Sequence, residues 1–186
     1  MWLVIDTSQA ALLVAVGRDG KCIAQHAEAM TRGQAEKLIP VIESLLQDAK
    51  IDKSALTEII AGIGPGSFTG IRLGLAAAEG LALGLKIPIA GVTAMEALHA
   101  AGPGEAGVIA IPDGKGGYYA QEFNVEGKSL KPPYRLTAWA GKVLSNSYQP
   151  LHLAIAARRN KKFLQTHSPQ ALYLRQADVT LAAGHG

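Results

Sequence analysis

Cysteine, aromatic residues and charge are all scarce in this chain. The single cysteine, Cys22, excludes an internal disulfide and fits a reducing setting, where a small apolar strand residue is its expected role. Aromatic residues make up 5% and charged residues 18% of the 186 positions, against 48% hydrophobic. That is the composition of an ordinary globular protein, with enough length for one full core or two small lobes. No continuous apolar run approaches the length needed to cross a bilayer. The opening Met1-Trp2-Leu3-Val4-Ile5-Asp6 has no basic region and meets an acid at once, which argues against a signal peptide and for a cytoplasmic location. The five histidines, at positions 26, 99, 152, 167 and 185, never fall at the one-turn spacing that sets two metal ligands on one helix face. A metallopeptidase reading therefore finds no support. No local serine–histidine or cysteine–histidine signature points to a nucleophile either.

Against these absences stands Gly64-Pro65-Gly66-Ser67-Phe68-Thr69-Gly70-Ile71-Arg72. The apolar run Glu58 to Ile63 leads into it as a buried strand, and a helical segment, Thr69 to Leu85, follows. A glycine-rich turn between strand and helix aims backbone N–H groups and the positive helix end at an anion. Ser67 and Thr69 can each cap that helix. Small residues recur along it, at Gly70, Gly74, Ala77, Ala78, Gly80 and Gly84. Each interior glycine costs about 1 kcal/mol against alanine, so close approach of another helix is the expected return.

Around this motif the chain alternates between strand and helix patterns. Trp2–Asp6, Ala11–Gly17 and Lys21–Glu28 read as three antiparallel strands, with Asp19-Gly20 as the hairpin signal. Thr31 with Gln34 resembles a capping box for a helix carrying Leu38, Ile42, Leu45 and Ala49, in which Pro40 predicts a kink. Ile87–Val92 is the next strand, and Thr93 with Glu96 caps a short helix toward His99. Gly102-Pro103-Gly104-Glu105 is a linker by composition. Beyond it, Gly107–Pro112, Tyr118–Asn124 and Lys128–Leu136 read as the start of a second copy of the opening unit, with a turn at Glu126-Gly127. A helix begins at Pro150 and ends in the basic cluster Arg158, Arg159, Lys161 and Lys162. Ala171–Arg175 reads as extended. Charge is uneven: residues 1–112 carry 8 basic and 11 acidic side chains, whereas residues 113–186 carry 10 and 4.

Ile5-Asp6-Thr7-Ser8, the Gly64–Arg72 motif, Gly80-Leu81-Ala82-Leu83-Gly84, Ile87-Pro88 and Tyr173-Leu174-Arg175 together resemble the bacterial TsaB (YeaZ) family. The likeness is continuous over residues 1–100 and patchy afterwards. It implies an α/β fold of the actin-like ATPase, Hsp70 and sugar-kinase type, with a complete first lobe over residues 1–101 and a shortened second lobe over 106–186. It also implies a non-catalytic scaffold and activator in making threonylcarbamoyladenosine beside the anticodon of tRNAs that read codons beginning with A. Its partners would be a TsaD-like catalytic subunit and a TsaE-like ATPase, with a homodimer when alone and tRNA as substrate of the complex. The complex would use ATP, and this chain would need no cofactor of its own. The docking surfaces would lie on the helices Gln34–Lys50 and Thr69–Leu85, with Leu38, Ile42, Leu45, Gly70, Gly74, Ala77 and Ala78 at the interface. The second lobe departs from the family: an adenosine-binding glycine segment is not recognisable, and Asp113-Gly114-Lys115-Gly116-Gly117 replaces the usual Asp-Ala-Arg-Arg-like turn.

Two other readings follow from the residues. Asp6 and Asp113, both at strand ends, could flank a magnesium nucleotide, with donors from Thr7, Ser8, Gly66, Ser67 and Thr69; the chain would then be an ATP-binding phosphotransferase in its own right. The plainer account is that Asp6 and Ser8 satisfy turn amides, that Asp113 begins a loop, and that Asp6, Thr7, Ser8, Gly66, Ser67 and Thr69 form a vestigial phosphate loop. The basic second half also fits a simple RNA-binding module.

Overall fold

The computed structural model describes residues 1–141, 148–160, 162 and 169–172. Its first sheet is built from β1 (Trp2–Asp6), β2 (Ala11–Arg18), β3 (Lys21–Ala29), β4 (Glu58–Gly62) and β5 (Ile89–Val92), in the order β3-β2-β1-β4-β5. β1 pairs antiparallel with β2 and parallel with β4, so it lies in the middle. A strand covered on both faces must be apolar throughout, and Trp2, Leu3, Val4 and Ile5 are all fully buried. Asp19 and Gly20 both take positive φ, 50° and 76°, which supplies the tight β2–β3 turn.

Helices cover both faces. α1 (Gln34–Asp48) and α2 (Phe68–Leu85) follow β3 and β4 and pack on one face, which we call the front. Leu3, Ile5, Val14 and Ile59 point there, against Leu38, Ile42, Leu45, Leu46, Leu75 and Ala78. α3 (Ala94–Ala101) and α4 (Pro150–Arg159) cover the back, where Trp2, Val4, Ile60 and Val92 meet Met95, Leu98, Leu153 and Ala157. The strict alternation along β1 is the period of two that a strand imposes. A second sheet of three antiparallel strands, β6 (Gly107–Pro112), β7 (Tyr118–Phe123) and β8 (Tyr134–Leu136), leans on α3. Its up-and-down order repeats that of β1, β2 and β3.

Several expectations need correcting. The helix α1 has no capping box: Gly33, in the left-handed region, is the residue before it, and Gln34 donates instead to the Gln9 and Ala11 carbonyl oxygens. The strand expected over Lys128–Leu136 shrinks to Tyr134–Leu136 and a bridge between Phe123 and Ser129, because Asn124 closes the intervening turn through the Glu126 and Lys128 amides. α4, expected with the second lobe, packs on α3 and on all five strands of the first sheet. α2 is 18 residues long with a mean hydropathy of 1.3, enough by length and composition to cross a bilayer. Its apolar character instead serves the front core, into which Leu75, Ala78 and Ala82 are buried. Tyr173, Leu174 and Arg175, Lys161, His167 and His185 lie outside the described residues.

Candidate functional site

Two segments far apart in sequence meet at the carboxyl ends of β1 and β4. Asp6, Thr7 and Ser8 leave β1, and Gly64 to Gly70 leave β4 to start α2. Ser67 is the N-cap and accepts from the Gly70 amide at 3.2 Å, whereas Thr69 lies inside the helix and is exposed. The segments are laced together. The Ser67 amide donates to the Ser8 carbonyl oxygen at 2.7 Å, and the Thr7 hydroxyl donates to the Gly70 carbonyl oxygen at 2.6 Å. The Gln9 side-chain Nε2 donates to the Pro65 carbonyl oxygen at 3.0 Å. Glycine is needed where they touch. A Cβ at Gly66 would collide with the Ser8 carbonyl, one at Gly70 with the Thr7 carbonyl, and one at Gly74 would sit 2.6 Å from the Thr7 hydroxyl. At Gly70 and Gly74 the small residues thus have their partner in the loop after β1.

That overturns the expected docking residues. Leu38, Ile42, Leu45, Gly70, Gly74 and Ala78 are all buried within the first lobe, and Ala77 is half-buried against the same core. The outward face of α2 carries other residues. Leu83 is 81% exposed, Phe68 36%, and the Arg72 guanidinium stacks over the Phe68 ring at 3.8 Å. Added Cβ atoms at Gly80 and Gly84 would meet nothing within 4 Å. On α1, Ile39 is 45% exposed and lines, with Leu46, Leu81 and Leu85, a cleft of about 50 Å³ between the two helices. Ile39 and Gly80 were visible in the sequence, but which side of each helix faced water was not.

The Asp6 carboxylate is fully engaged. Oδ1 accepts from the Ser8 amide at 2.7 Å, and Oδ2 accepts from the Tyr148 hydroxyl at 2.6 Å. Burial pushes the Asp6 carboxyl above its ordinary range, and the bonds from Tyr148 and Ser8 only partly offset this. Burial and the neighbouring Asp6 push the Tyr148 phenol well above its usual value. Nothing in the sequence marks Tyr148, which stands 142 positions from its partner. Gly62 makes the room: a Cβ there would strike the Asp6 carboxyl. Asp113 is used by its own loop. Oδ1 accepts from the Lys115 and Gly117 amides, and Oδ2 pairs with Arg135 at 2.7 Å. These bonds hold the Asp113 carboxyl down at about 2. So Asp6, Thr7, Ser8, Gly66 and Ser67 do come together, with Asp6, Thr7, Ser8 and Ser67 each hydrogen-bonded to one another, to the start of α2 or to Tyr148.

The basic second half is also less open than its count suggests. Arg158 pairs with Glu58, Lys162 with Glu96, Lys131 with Glu122 and Arg135 with Asp113. Among the described residues, no three histidine, cysteine, aspartate or glutamate side chains gather where they could hold a metal ion.

An open five-stranded sheet in this order, helices on both faces and a second three-stranded meander make an α/β fold. The family model described as TsaD, tRNA N6-adenosine threonylcarbamoyltransferase, matches residues 26–135. The chain belongs to this family, on its TsaB (YeaZ) branch. It is 37% identical to the tRNA threonylcarbamoyladenosine biosynthesis protein TsaB of Bacillus subtilis over 100 residues, covering 54% of this chain and 44% of that one. With the Escherichia coli TsaB it shares 37% over 93 residues, 50% of this chain and 40% of the other. The alignment thus spans less than half the length of these curated relatives. YeaZ from Pseudomonas aeruginosa superposes with a TM-score of 0.64 at 28% identity, over 76% of this chain and 70% of that one. A second Pseudomonas aeruginosa structure, of a protein described as similar to peptidase YEAZ, has the same fold: TM-score 0.74, 24% identity, 94% of this chain and 99% of the other.

Proposed function

We propose that this chain is a non-catalytic TsaB-like subunit that supports threonylcarbamoyladenosine formation on tRNA by docking a TsaD-like catalytic subunit. The observation that carries this reading is the outward face of α2, where Leu83 projects between Gly80 and Gly84 and the Phe68–Arg72 pair lies toward the other end. A projecting leucine flanked by bare backbone is a knob beside two hollows, and close helix–helix packing needs both. The same face pairs with a second copy when no partner is present. A TsaE-like ATPase and tRNA belong to the complex, and ATP is consumed there, in the cytoplasm. The engaged carboxylates of Asp6 and Asp113 support a subunit without chemistry of its own.

Leu83→Glu tests this directly, because its side chain touches little of its own lobe. The variant folds like the parent, lowers the molar mass seen by light scattering from dimer to monomer, and loses at least tenfold of its stimulation of matching TsaD- and TsaE-like proteins. Unchanged mass together with unchanged stimulation overturns the reading.

A further inference from the structure

Both front helices start at the carboxyl end of β1, and one short loop, Thr7 to Ala11, holds both starts. Toward α2, the Thr7 hydroxyl donates to the Gly70 carbonyl oxygen, the Ser8 carbonyl oxygen accepts from the Ser67 amide, and Gln9 Nε2 donates to the Pro65 carbonyl oxygen. Toward α1, Gln34 Nε2 donates to the Gln9 and Ala11 carbonyl oxygens at 3.3 and 2.9 Å. Gln34 is the first residue of α1, and Gly33 before it supplies no side-chain cap. Another polar tie of α1, the Lys37–Glu28 pair, runs to β3 and is exposed, where such pairs add little. Leu38, Ile42, Leu45 and Leu46 hold α1 against the sheet by apolar burial, which is non-directional. A hydrogen bond to a carbonyl oxygen instead sets position within a narrow range of distance and angle.

We propose that the Thr7–Ala11 loop is a bracket that sets the spacing of α1 and α2 for docking, with Gln34 and Gln9 as its positioning residues. The proposal rests on docking through α2 and extends the docking face to Ile39 on α1. A partner covering the side of α2 left bare at Gly80 and Gly84 continues over the cleft between the helices, where Ile39 is exposed. Two helices already held at the required spacing bind at lower cost than two that must be brought there. The close fit of Gly66 and Gly70 to the Ser8 and Thr7 carbonyls then has a mechanical use, because it places α2 against the same loop that places α1. Loss of the Gln34 amide leaves the leucines of α1 in the core, so the helix stays formed while its start is free to shift.

Pulsed electron spin resonance on the full chain reads the spacing directly. Spin labels are placed at Gln47→Cys and Ala76→Cys, both exposed positions, in a Cys22→Ala background. Labelled chain is diluted into unlabelled chain, so that only distances within one molecule count. Gln34→Leu widens the distance distribution about twofold and weakens calorimetric binding of a TsaD-like partner about tenfold, with the helical circular dichroism of the parent. Gln9→Ala gives the same two effects in smaller measure, and carries the test should Gln34→Leu fail to fold. An unchanged distribution overturns the proposal even if stability falls, and so does a widened distribution with parent-like affinity. Leu83→Glu separates the two ideas. Loss of binding there with no effect at Gln34 or Gln9 sinks the bracket alone, whereas parent-like binding by Leu83→Glu sinks docking through α2.

Discussion

The two faces of the first sheet are covered by different means. On the front, α1 and α2 bury Leu38, Ile42, Leu45, Leu46 and Leu75 against leucine, isoleucine and valine from the strands. On the back, α3 supplies Met95 and Leu98, and α4 supplies Leu153, three alanines and a half-buried Leu151, joined to the sheet also by ion pairs and hydrogen bonds. Large interlocking side chains give a face its stability through area and close packing, with little dependence on any one contact. A polar attachment concentrates its contribution in a few directional bonds, each of which costs heavily when only one partner remains. The α4 attachment therefore adds single directional contacts to its apolar ones.

Truncation on the front should have the largest effect. Leu38→Ala, at a site 1% exposed, is expected to cost about 3 kcal/mol of unfolding free energy in a urea titration. A change in association without a loss of stability would return Leu38 to the surface and break the contrast. The glycines of α2 sharpen it next, because they divide by side. Gly70→Ala forces a Cβ onto the Thr7 carbonyl and should cost about 2 kcal/mol, whereas Gly80→Ala meets open space and should gain about 1 kcal/mol from helix propensity. Equal responses at the two sites would mean that the stripe does not face the β1–β2 loop.

The smallest effect concerns the second sheet and acid. The Asp113 carboxyl is held at about 2 in the folded chain, against an ordinary value of 3.8, by the Lys115 and Gly117 amides and Arg135. A lowered folded value means that the stabilisation is complete above pH 3.8 and is lost as pH falls toward about 2. Asp113→Asn should flatten that limb of the stability–pH curve and leave the neutral range unchanged in shape. A limb of unaltered slope would assign it to other carboxylates.

Much of the first lobe could be read from residue order. The Asp19-Gly20 turn, the Thr93–Glu96 capping box, the Ser67 cap and Pro150 at a helix start all act over four residues or fewer, so the local pattern names them. The meaning of the glycine spacing was legible only in part. Gly70 and Gly74 do answer to close approach, but the neighbour is the loop after β1, and Gly80 and Gly84 face the other way. The Thr31 expectation failed because Gln34 found better acceptors at Gln9 and Ala11, a contact that exists only once β2 is in place.

By itself the chain's order of residues determined which segments become strands and helices and where they turn, since dihedral preference, capping and the two hydrophobic periods are properties of neighbours. It also carried the family, through Asp6-Thr7-Ser8 and the Gly64–Arg72 motif. Only the tertiary structure decided what those motifs face. Whether Leu38 looks inward, whether Asp6 is open or met by Tyr148, and which sheet α4 covers depend on distances between residues far apart along the chain, which packing alone sets.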